Sequence, residues 1–290
     1  MKTGTQMSRL TRGLVAVALG AGFAGAAVAG ISTTKHNLGT GGTVGNNRVT
    51  AGTAEICVFC HTPHAADIST VGVPLWNKRL ATGVGTFTTY SSSTMDALGA
   101  SDGQGGGQIG SVSIACLSCH DGTQAMDNML NAPGSGGYAS NGGGPSGTNY
   151  TWAAGVRADA AGYLINSGTF IAMLSKDLSN DHPIGMQYCG GGPRVGTPTA
   201  ACADADFVAP TSGSIGGGTV FWVDTGTGGR QKTDMILYNR GFLVNGSLPA
   251  GTYPSVECAS CHDVHGGAAG STFLRISNDN SAVCLACHIK

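Results

Sequence analysis

One short pattern of cysteine and histidine, C-x-x-C-H, occurs four times in the 290-residue chain. Two cysteines three positions apart can attach a haem through thioether bonds, and the histidine that follows can bind its iron from one face. With ten cysteines and eight histidines, chance would give on the order of 0.01 such motifs. In chain order the four motifs are Cys57, Cys60 and His61; Cys116, Cys119 and His120; Cys258, Cys261 and His262; and Cys284, Cys287 and His288. The sequence therefore predicts four covalently attached c-type haems.

Two other kinds of site also use C-x-x-C pairs. A zinc site usually combines two such pairs into one tetrahedron, and a thioredoxin-like redox motif usually occurs once, near a βαβ pattern. Neither explains a histidine directly after every second cysteine. Haem attachment is the favoured interpretation of all four motifs.

Each iron held by a motif histidine needs a further ligand on its opposite face, and four histidines lie outside the motifs. These are His36, His64, His182 and His265. The match in number predicts two histidine ligands on every iron. Methionine is the competing ligand and would raise the reduction potential, but the methionines have no recurrent offset from the motifs. Six-coordinate irons leave no open position for a substrate, which favours an electron-transfer protein over an enzyme.

Two of these distal candidates stand at the same offset from a motif histidine. His64 follows His61 by three residues, and His265 follows His262 by three. The thioethers hold the local backbone on one side of the porphyrin. Neither histidine can therefore reach the far face of the iron that is bound by the motif histidine three residues before it. Each is expected to bind a different haem and so to bring two haems together; the alternative is a surface histidine.

The other two candidates come from a loop and from the start of the mature chain. Pro183 biases His182 towards an extended backbone, which suits a ligand on a rigid loop as well as an ordinary loop histidine. His36 lies about seven residues into the mature chain, where a segment is normally mobile unless it is tied down. Iron coordination within its own subunit or in a neighbouring one would tie it down.

The beginning of the chain predicts export. Residues 1–29 begin with a segment that contains the basic residues Lys2, Arg9 and Arg12. An apolar run from Leu14 to Val28 follows, and the segment ends in the small-residue sequence Ala27-Val28-Ala29. A membrane anchor is the alternative, but the run is shorter than the roughly 20 residues that span a bilayer. We expect a removed signal peptide and a mature chain from about Gly30 in a secreted, extracellular or cell-surface protein. Haem attachment and disulfides are both compatible with that location.

Charge and the remaining cysteines add to this expectation. Removing the signal takes away three basic residues and lowers the formal charge from −1 to −4. No run of Lys or Arg follows, which disfavours nucleic acid or an anionic membrane as partner.

Cys189 and Cys202 are expected to form a disulfide rather than remain free thiols. Asn149 and Asn245 match the glycosylation pattern, a weak signal in a chain rich in Ser and Thr.

Composition predicts a loop-rich fold. Glycine supplies 49 residues and only 11% are charged, and a Gly/Ser/Thr-rich insert without haem motifs runs from about 121 to 257. Disorder is the alternative for such a segment. Apolar stretches at 221–223 and 235–238 instead predict short strands, with a turn at 225–229. We expect one domain over 30–290, a multihaem cytochrome c with few short helices and short strands around a haem core.

Two helices are predicted from residue spacing. The first starts at Thr169, because Phe170, Met173, Leu174 and Leu178 recur at helical period. The second is capped by Ser281 and carries the last motif.

Several segments together resemble the extracellular multihaem cytochromes that polymerise into filaments, or cytochrome nanowires, and in particular the tetrahaem OmcE type. They are KHNL, CVFCHTPH, CLSCHDGT, DHPIGM, VECASCHDVHG and LRISNDNSAVCLACH. The resemblance covers most of the mature chain in motif order, but residues from about 130 to 255 match only in composition and at DHPIG.

The resemblance implies a homopolymer with haems in alternating parallel and T-shaped pairs that continue from one subunit to the next. The motif residues would hold four haem c groups, and His36, His64, His182 and His265 would be the distal ligands. One distal ligand can come from the adjacent subunit, and His36 is the expected link. The filament would carry electrons to other redox cytochromes or extracellular acceptors. The alternative is a soluble periplasmic tetrahaem carrier that acts as a monomer.

Overall fold

A computed structural model describes residues 30–43, 47–68, 73–79, 87–95, 109–134, 150–153, 158–166, 171–226, 228–242, 249–266 and 273–289. The expected signal peptide, residues 1–29, and the possible glycosylation sites Asn149 and Asn245 lie outside these ranges. Within them, the chain has few helices and several short strands joined by long loops, as predicted. No helix in the described parts of the chain is long and apolar enough to cross a membrane.

The helical turns coincide with the cysteine motifs. Helix α1 is Ser111–His120, α2 is Cys258–Cys261 and α3 is Ala282–Leu285, and the first motif begins on a 3-10 turn, Cys57–Phe59. Residues at i and i+3 lie on one side of a helical turn. The helical turns therefore direct the two thiols of a motif towards one side, as attachment to a single porphyrin requires.

An antiparallel sheet occupies the second half of the insert. The strands of the structure are β1 Thr88–Thr89, β2 Asp177–Leu178, β3 Met186–Gln187, β4 Thr211–Ile215, β5 Gly218–Val223, β6 Met235–Phe242 and β7 Gly251–Val256. The antiparallel sheet has the order β3-β7-β6-β5-β4, and a separate parallel pair joins β1 to β2. Phe221 pairs with Leu237, so the strands predicted at 221–223 and 235–238 are confirmed. Gly216 and Gly217 have positive φ angles of 58° and 81° and form the two-residue turn between β4 and β5.

The turn predicted at 225–229 is part of a longer connection from β5 to β6. Val223 pairs with Met235, and the carboxylate of Asp234 organises the chain between them. It accepts hydrogen bonds from the Thr225 and Gln231 backbone amides at 3.0 and 2.5 Å. Residue 227 lies outside the described residues.

The helix predicted from Thr169 is wrong over the described residues, 171–178. Leu174 is followed by Ser175 with a φ of 63°, which an α-helix does not allow, and Leu178 lies in β2. Leu178 packs with Ile109 and Leu117 of the α1 region. Tertiary packing of the leucine therefore replaces the local helical pattern.

The helix predicted to carry the last motif is present but shorter than expected. Ser281 precedes α3, yet its side chain forms no capping hydrogen bond, and the helix ends at Leu285. The chain end pairs instead with a neighbouring segment, because Val208 N–H donates to Cys287 O at 2.9 Å and Ile289 N–H to Asp206 O at 2.8 Å. Cys287 still lies on a helical turn, because its N–H and that of His288 donate to Cys284 O at 3.1 and 3.0 Å, and His288 then pairs with Phe207 in a β-bridge.

Two apolar clusters fill most of the described interior. The first is formed by Val49, Val58, Phe59, Met126, Met129, Trp152 and Leu164, and Cys60 and Cys119 pack against it. The second is formed by Tyr188, Cys189, Phe221, Val223, Met235 and Leu237, and Cys261 and Cys287 pack against it. Each cluster thus brings together two consecutive motifs.

The predicted disulfide is present in the second cluster. Cys189 and Cys202 are joined, and none of the eight motif cysteines takes part in a disulfide in the structure. The neighbouring Tyr188 hydroxyl donates to Val208 O at 2.8 Å and to Cys287 O at 3.4 Å. The disulfide loop therefore supports the segment that carries the fourth motif.

Replacing both Cys189 and Cys202 by serine is expected to lower the free energy of unfolding by about 3 kcal/mol, because the unfolded chain loses a closed loop. Denaturant unfolding followed by tryptophan fluorescence measures the change. The control is the absorption spectrum, which should keep the haem content of the parent protein. An unchanged unfolding midpoint would contradict this role for the disulfide.

Candidate haem-binding sites

The first motif is held by a short segment that runs beside it. Thr62 N–H donates to Leu75 O at 2.8 Å, and Asn77 N–H donates to Cys60 O at 2.8 Å. His61 and Trp76 face each other between these bonds, with ring centroids 6.1 Å apart. The backbone on both sides of His61 is therefore fixed.

Hydrogen bonds also set the tautomer of several histidines. Nδ1 lies 2.8 Å from Pro74 O in His61, 2.5 Å from Ala172 O in His120 and 3.0 Å from Pro183 O in His182. A carbonyl only accepts, so each Nδ1 carries the proton and donates. Nε2 then keeps its lone pair, which is the arrangement that a metal-binding histidine needs.

Three motif histidines each face one of the histidines outside the motifs. The ring centroids are 6.1 Å apart for His120 and His36, 6.2 Å for His61 and His265, and 6.5 Å for His288 and His182. Two axial bonds of about 2 Å, plus about 1 Å from each nitrogen to its ring centroid, predict a separation of about 6 Å across one iron. The donor set and its spacing fit bis-histidine haem at three of the four motifs.

His36 is the most enclosed of the distal candidates. Its ring stacks on Phe273 at 4.6 Å between centroids. Burial, followed by the nearby charges of His120, His265 and His262, lowers the pKa of His36 to about 4. A neutral ring is the form that binds iron. His36 therefore faces a motif histidine of its own chain, which differs from the link between subunits expected from the resemblance.

The segment before His36 is docked rather than loose. A Cβ added at Gly30 would lie 1.5 Å from His265 O, so only glycine permits this approach. Asn37 Nδ2 donates to Ser32 O at 2.8 Å and closes the following turn. The segment that begins at Gly30 is thereby held beside a second distal candidate, His265.

His64 stands apart from these three pairs. Its carbonyl accepts hydrogen bonds from Thr62 Oγ1 at 3.1 Å and from Asn131 Nδ2 at 2.9 Å, while the residue is exposed. Among the residues that the structure describes, its imidazole has no hydrogen bond or ring contact. The histidine of the third motif, His262, is also exposed and lies opposite Leu274 in a β-bridge.

The thiols of successive motifs lie near one another. Cys60 and Cys119 share the first cluster, and Cys261 and Cys287 share the second. Between them, the Cys116 and Cys258 thiols form a hydrogen bond. The four motifs therefore follow each other in space in their chain order.

A buried carboxylate joins the second and third motifs and could not be recognised in the sequence. Glu257, 1% exposed, accepts hydrogen bonds from Gly110 N–H at 3.0 Å, from Ser113 Oγ at 2.5 Å and from Arg240 Nη1 at 2.6 Å. Burial raises its pKa, and the bonds from Ser113 and Arg240 oppose that rise. Ser113 Oγ also accepts from Cys258 N–H at 2.9 Å. Glu257 therefore clamps α1 to α2.

Burial raises the pKa of several motif thiols, whereas hydrogen bonds with Cys116 and Ser113 lower the pKa of Cys258. Burial raises the pKa of Cys60 and of Cys287 to about 11, and it also raises that of Cys261. Redox and zinc-binding cysteines need a lowered pKa. Within the described ranges, no group of three or more His, Cys, Asp or Glu side chains converges as a metal site would require.

Three buried indole N–H groups have no hydrogen-bond partner in the described parts of the chain. They belong to Trp76, Trp152 and Trp222. An unpaired buried donor costs about 1–3 kcal/mol, so such groups call for an acceptor. Trp76 lies next to His61, where the carboxylate of a haem side chain would be a suitable acceptor. Besides the spacing of the histidine pairs, the unpaired indole N–H of Trp76 is therefore a second observation that fits a bound haem.

A comparison with known families matches the end of the described chain. Residues 254–290, which hold the third and fourth motifs, match the family described as the doubled CXXCH motif. No curated protein and no solved structure matches the chain. The family match supports covalent attachment of haem c at these residues, and with it a c-type cytochrome that takes part in electron transfer.

Proposed function

We propose that the chain is a tetrahaem c-type cytochrome that transfers electrons through bis-histidine haems and assembles into an extracellular filament. The carrying observation is the set of three histidine pairs with centroid separations of 6.1–6.5 Å. When bound, haem supplies reversible one-electron exchange at its iron. The chain holds each group through two thioethers and one motif histidine and closes the opposite face with a second histidine.

The protein's own contribution is fixed geometry. The Nδ1 hydrogen bonds of His61 and His120 aim each ring, and the pairing of residues 60–62 with 75–77 fixes the backbone. The clamp at Glu257 sets the separation of the second and third motifs. Rigid ligands reduce the rearrangement that accompanies electron exchange, and close attachment points favour short transfer distances.

The number of distal candidates supports a link between copies of the chain through His64. His36, His265 and His182 face motif histidines of the same chain, and with one distal ligand for each iron we assign the remaining candidate, His64, to the third motif. The His64 imidazole is exposed, and so are the nearby apolar side chains of Ile68 and Leu75, at 93% and 54%. Exposed apolar groups around an available ligand suit contact with another protein surface. We assign the link between copies to His64 of one copy and His262 of the next.

Intact mass and spectroscopy test the electron-transfer part of this proposal. We expect the exported protein to carry four haems, to show low-spin ferric spectra and to accept four electrons per chain. In the matched variants Cys116→Ser/Cys119→Ser and Cys258→Ser/Cys261→Ser, one haem should be lost in each case. A parent protein with fewer than four haems, or with a high-spin ferric haem, would contradict it.

A further inference from the structure

A lysine is fully buried beside the first motif, where neither the motif nor the ligand count requires one. Lys78 is 1% exposed. Its ammonium donates hydrogen bonds to three backbone carbonyls, Ala125 O at 3.4 Å, Met126 O at 2.7 Å and Asn128 O at 2.9 Å. Lysine has three N–H donors, so this cage satisfies the charged form completely.

The three backbone carbonyls solvate the positive charge of the Lys78 ammonium but carry no negative charge to balance it. Carbonyl dipoles solvate the ammonium, but in the described part of the chain Lys78 forms no ion pair. The same loop buries two carboxylates, and neither forms an ion pair with Lys78: Asp121 accepts from Thr123 N–H at 2.8 Å and Asp127 from Tyr150 N–H at 2.9 Å. A buried cation without a counter-ion is costly and is therefore rare outside functional sites.

Lys78 is placed against the attachment point of the first motif. The preceding residue, Asn77, donates its N–H to Cys60 O at 2.8 Å and its side-chain amide to Val58 O at 2.6 Å. The caged ammonium contacts Met126 O, and Met126 belongs to the apolar cluster against which Cys60 packs. A group attached through Cys60 therefore lies within the field of a buried positive charge.

We propose that Lys78 raises the reduction potential of the haem held by Cys57, Cys60 and His61 and so sets that site apart from the other three. Reduction adds one electron, taken from a neighbouring haem, to iron(III) and removes one positive charge from the site. A fixed positive charge nearby favours that change, because it repels the oxidised form more strongly than the reduced form.

The inference rests on haem attachment as proposed above, and the experiment separates the two. Lys78→Gln removes the charge and keeps amide donors for the carbonyls, Lys78→Met fills the space without a charge, and Lys78→Arg keeps the charge. Each purified holoprotein is first checked for four haems and low-spin spectra. Four one-electron steps are then fitted to a spectroelectrochemical titration at fixed pH and ionic strength.

We expect one of the four midpoint potentials to fall in Lys78→Gln and Lys78→Met by about a tenfold change in its reduction equilibrium, which is about 59 mV for one electron. The other three should move much less, and Lys78→Arg should stay close to the parent protein. Four unchanged potentials in a fully loaded neutral variant would overturn the inference and leave the proposed function intact. An equal fall in Lys78→Arg would also overturn it, because packing and not charge would then be the cause. A parent protein without four haems would overturn the proposed function itself.

Discussion

Replacing His64 by alanine is expected to abolish filaments while leaving four haems attached to each chain. No thioether is touched, so the haem content by mass should equal that of the parent protein. Under the proposed assignment, the third motif of the neighbouring copy would lose its distal ligand, and the contact between copies would lose an iron–nitrogen bond. Negative-stain electron microscopy and light scattering of the secreted protein measure the loss of assembly.

The matched control for this variant is His182→Ala. His182 is also an exposed distal candidate, but it faces His288 of its own chain. We expect His182→Ala to lose one axial ligand and still to assemble. Normal filaments in His64→Ala with four low-spin haems would contradict the assignment, as would loss of filaments in both variants.

Alanine at any of His36, His182 or His265 is expected to convert one haem in four from low-spin to high-spin. Each of these histidines faces a different motif histidine at 6.1–6.5 Å, so each removal should open one iron. An open ferrous iron binds carbon monoxide, whereas a six-coordinate one does not. We expect about one carbon monoxide per chain in each single variant, about two in a double variant, and almost none in the parent.

Added imidazole serves as the control for these three variants. It should enter the space left by the side chain and restore the low-spin spectrum, which general unfolding would not allow. If the His36→Ala variant remained fully low-spin, His36 would not be the partner of His120. Carbon monoxide binding by the parent protein would contradict bis-histidine ligation as a whole.

Covalent chemistry explains why candidate attachment residues are recognisable in the sequence. Two thioethers and one iron bond require a fixed C-x-x-C-H spacing, so the motif is visible in a chain of any fold. The disulfide between Cys189 and Cys202 was predicted for a similar reason, because the other eight cysteines were already assigned. The strands at 221–223 and 235–238 were apparent from their runs of apolar residues.

Long-range packing explains what could not be predicted. Nothing local shows that His36 faces His120, or that His265 faces His61, because these residues are distant in the chain. The expected helix at Thr169 failed because Leu178 pairs in a strand and packs on Leu117. Lys78 and Glu257 look like ordinary surface residues in the sequence, and only their burial marks them.

Charge distinguishes the first motif from the other motifs in this account. Lys78 lies near Cys60 without a carboxylate partner in the described residues, whereas Lys232 forms an ion pair at 3.2 Å with Asp263, near the third motif. Lys232 is 65% exposed, so its field is screened by water. With a higher reduction potential at the first motif, the proposed haems would differ in reduction potential along the chain.

Electron cryomicroscopy of the secreted holoprotein tests the central claim most directly. The account predicts a filament in which one iron lies between each of the pairs His120 and His36, His61 and His265, and His288 and His182. The fourth iron should lie between His262 and His64 of the next copy, so that the line of irons continues through the assembly. Separate single-chain particles, or a map in which any of these irons has another ligand, would contradict it.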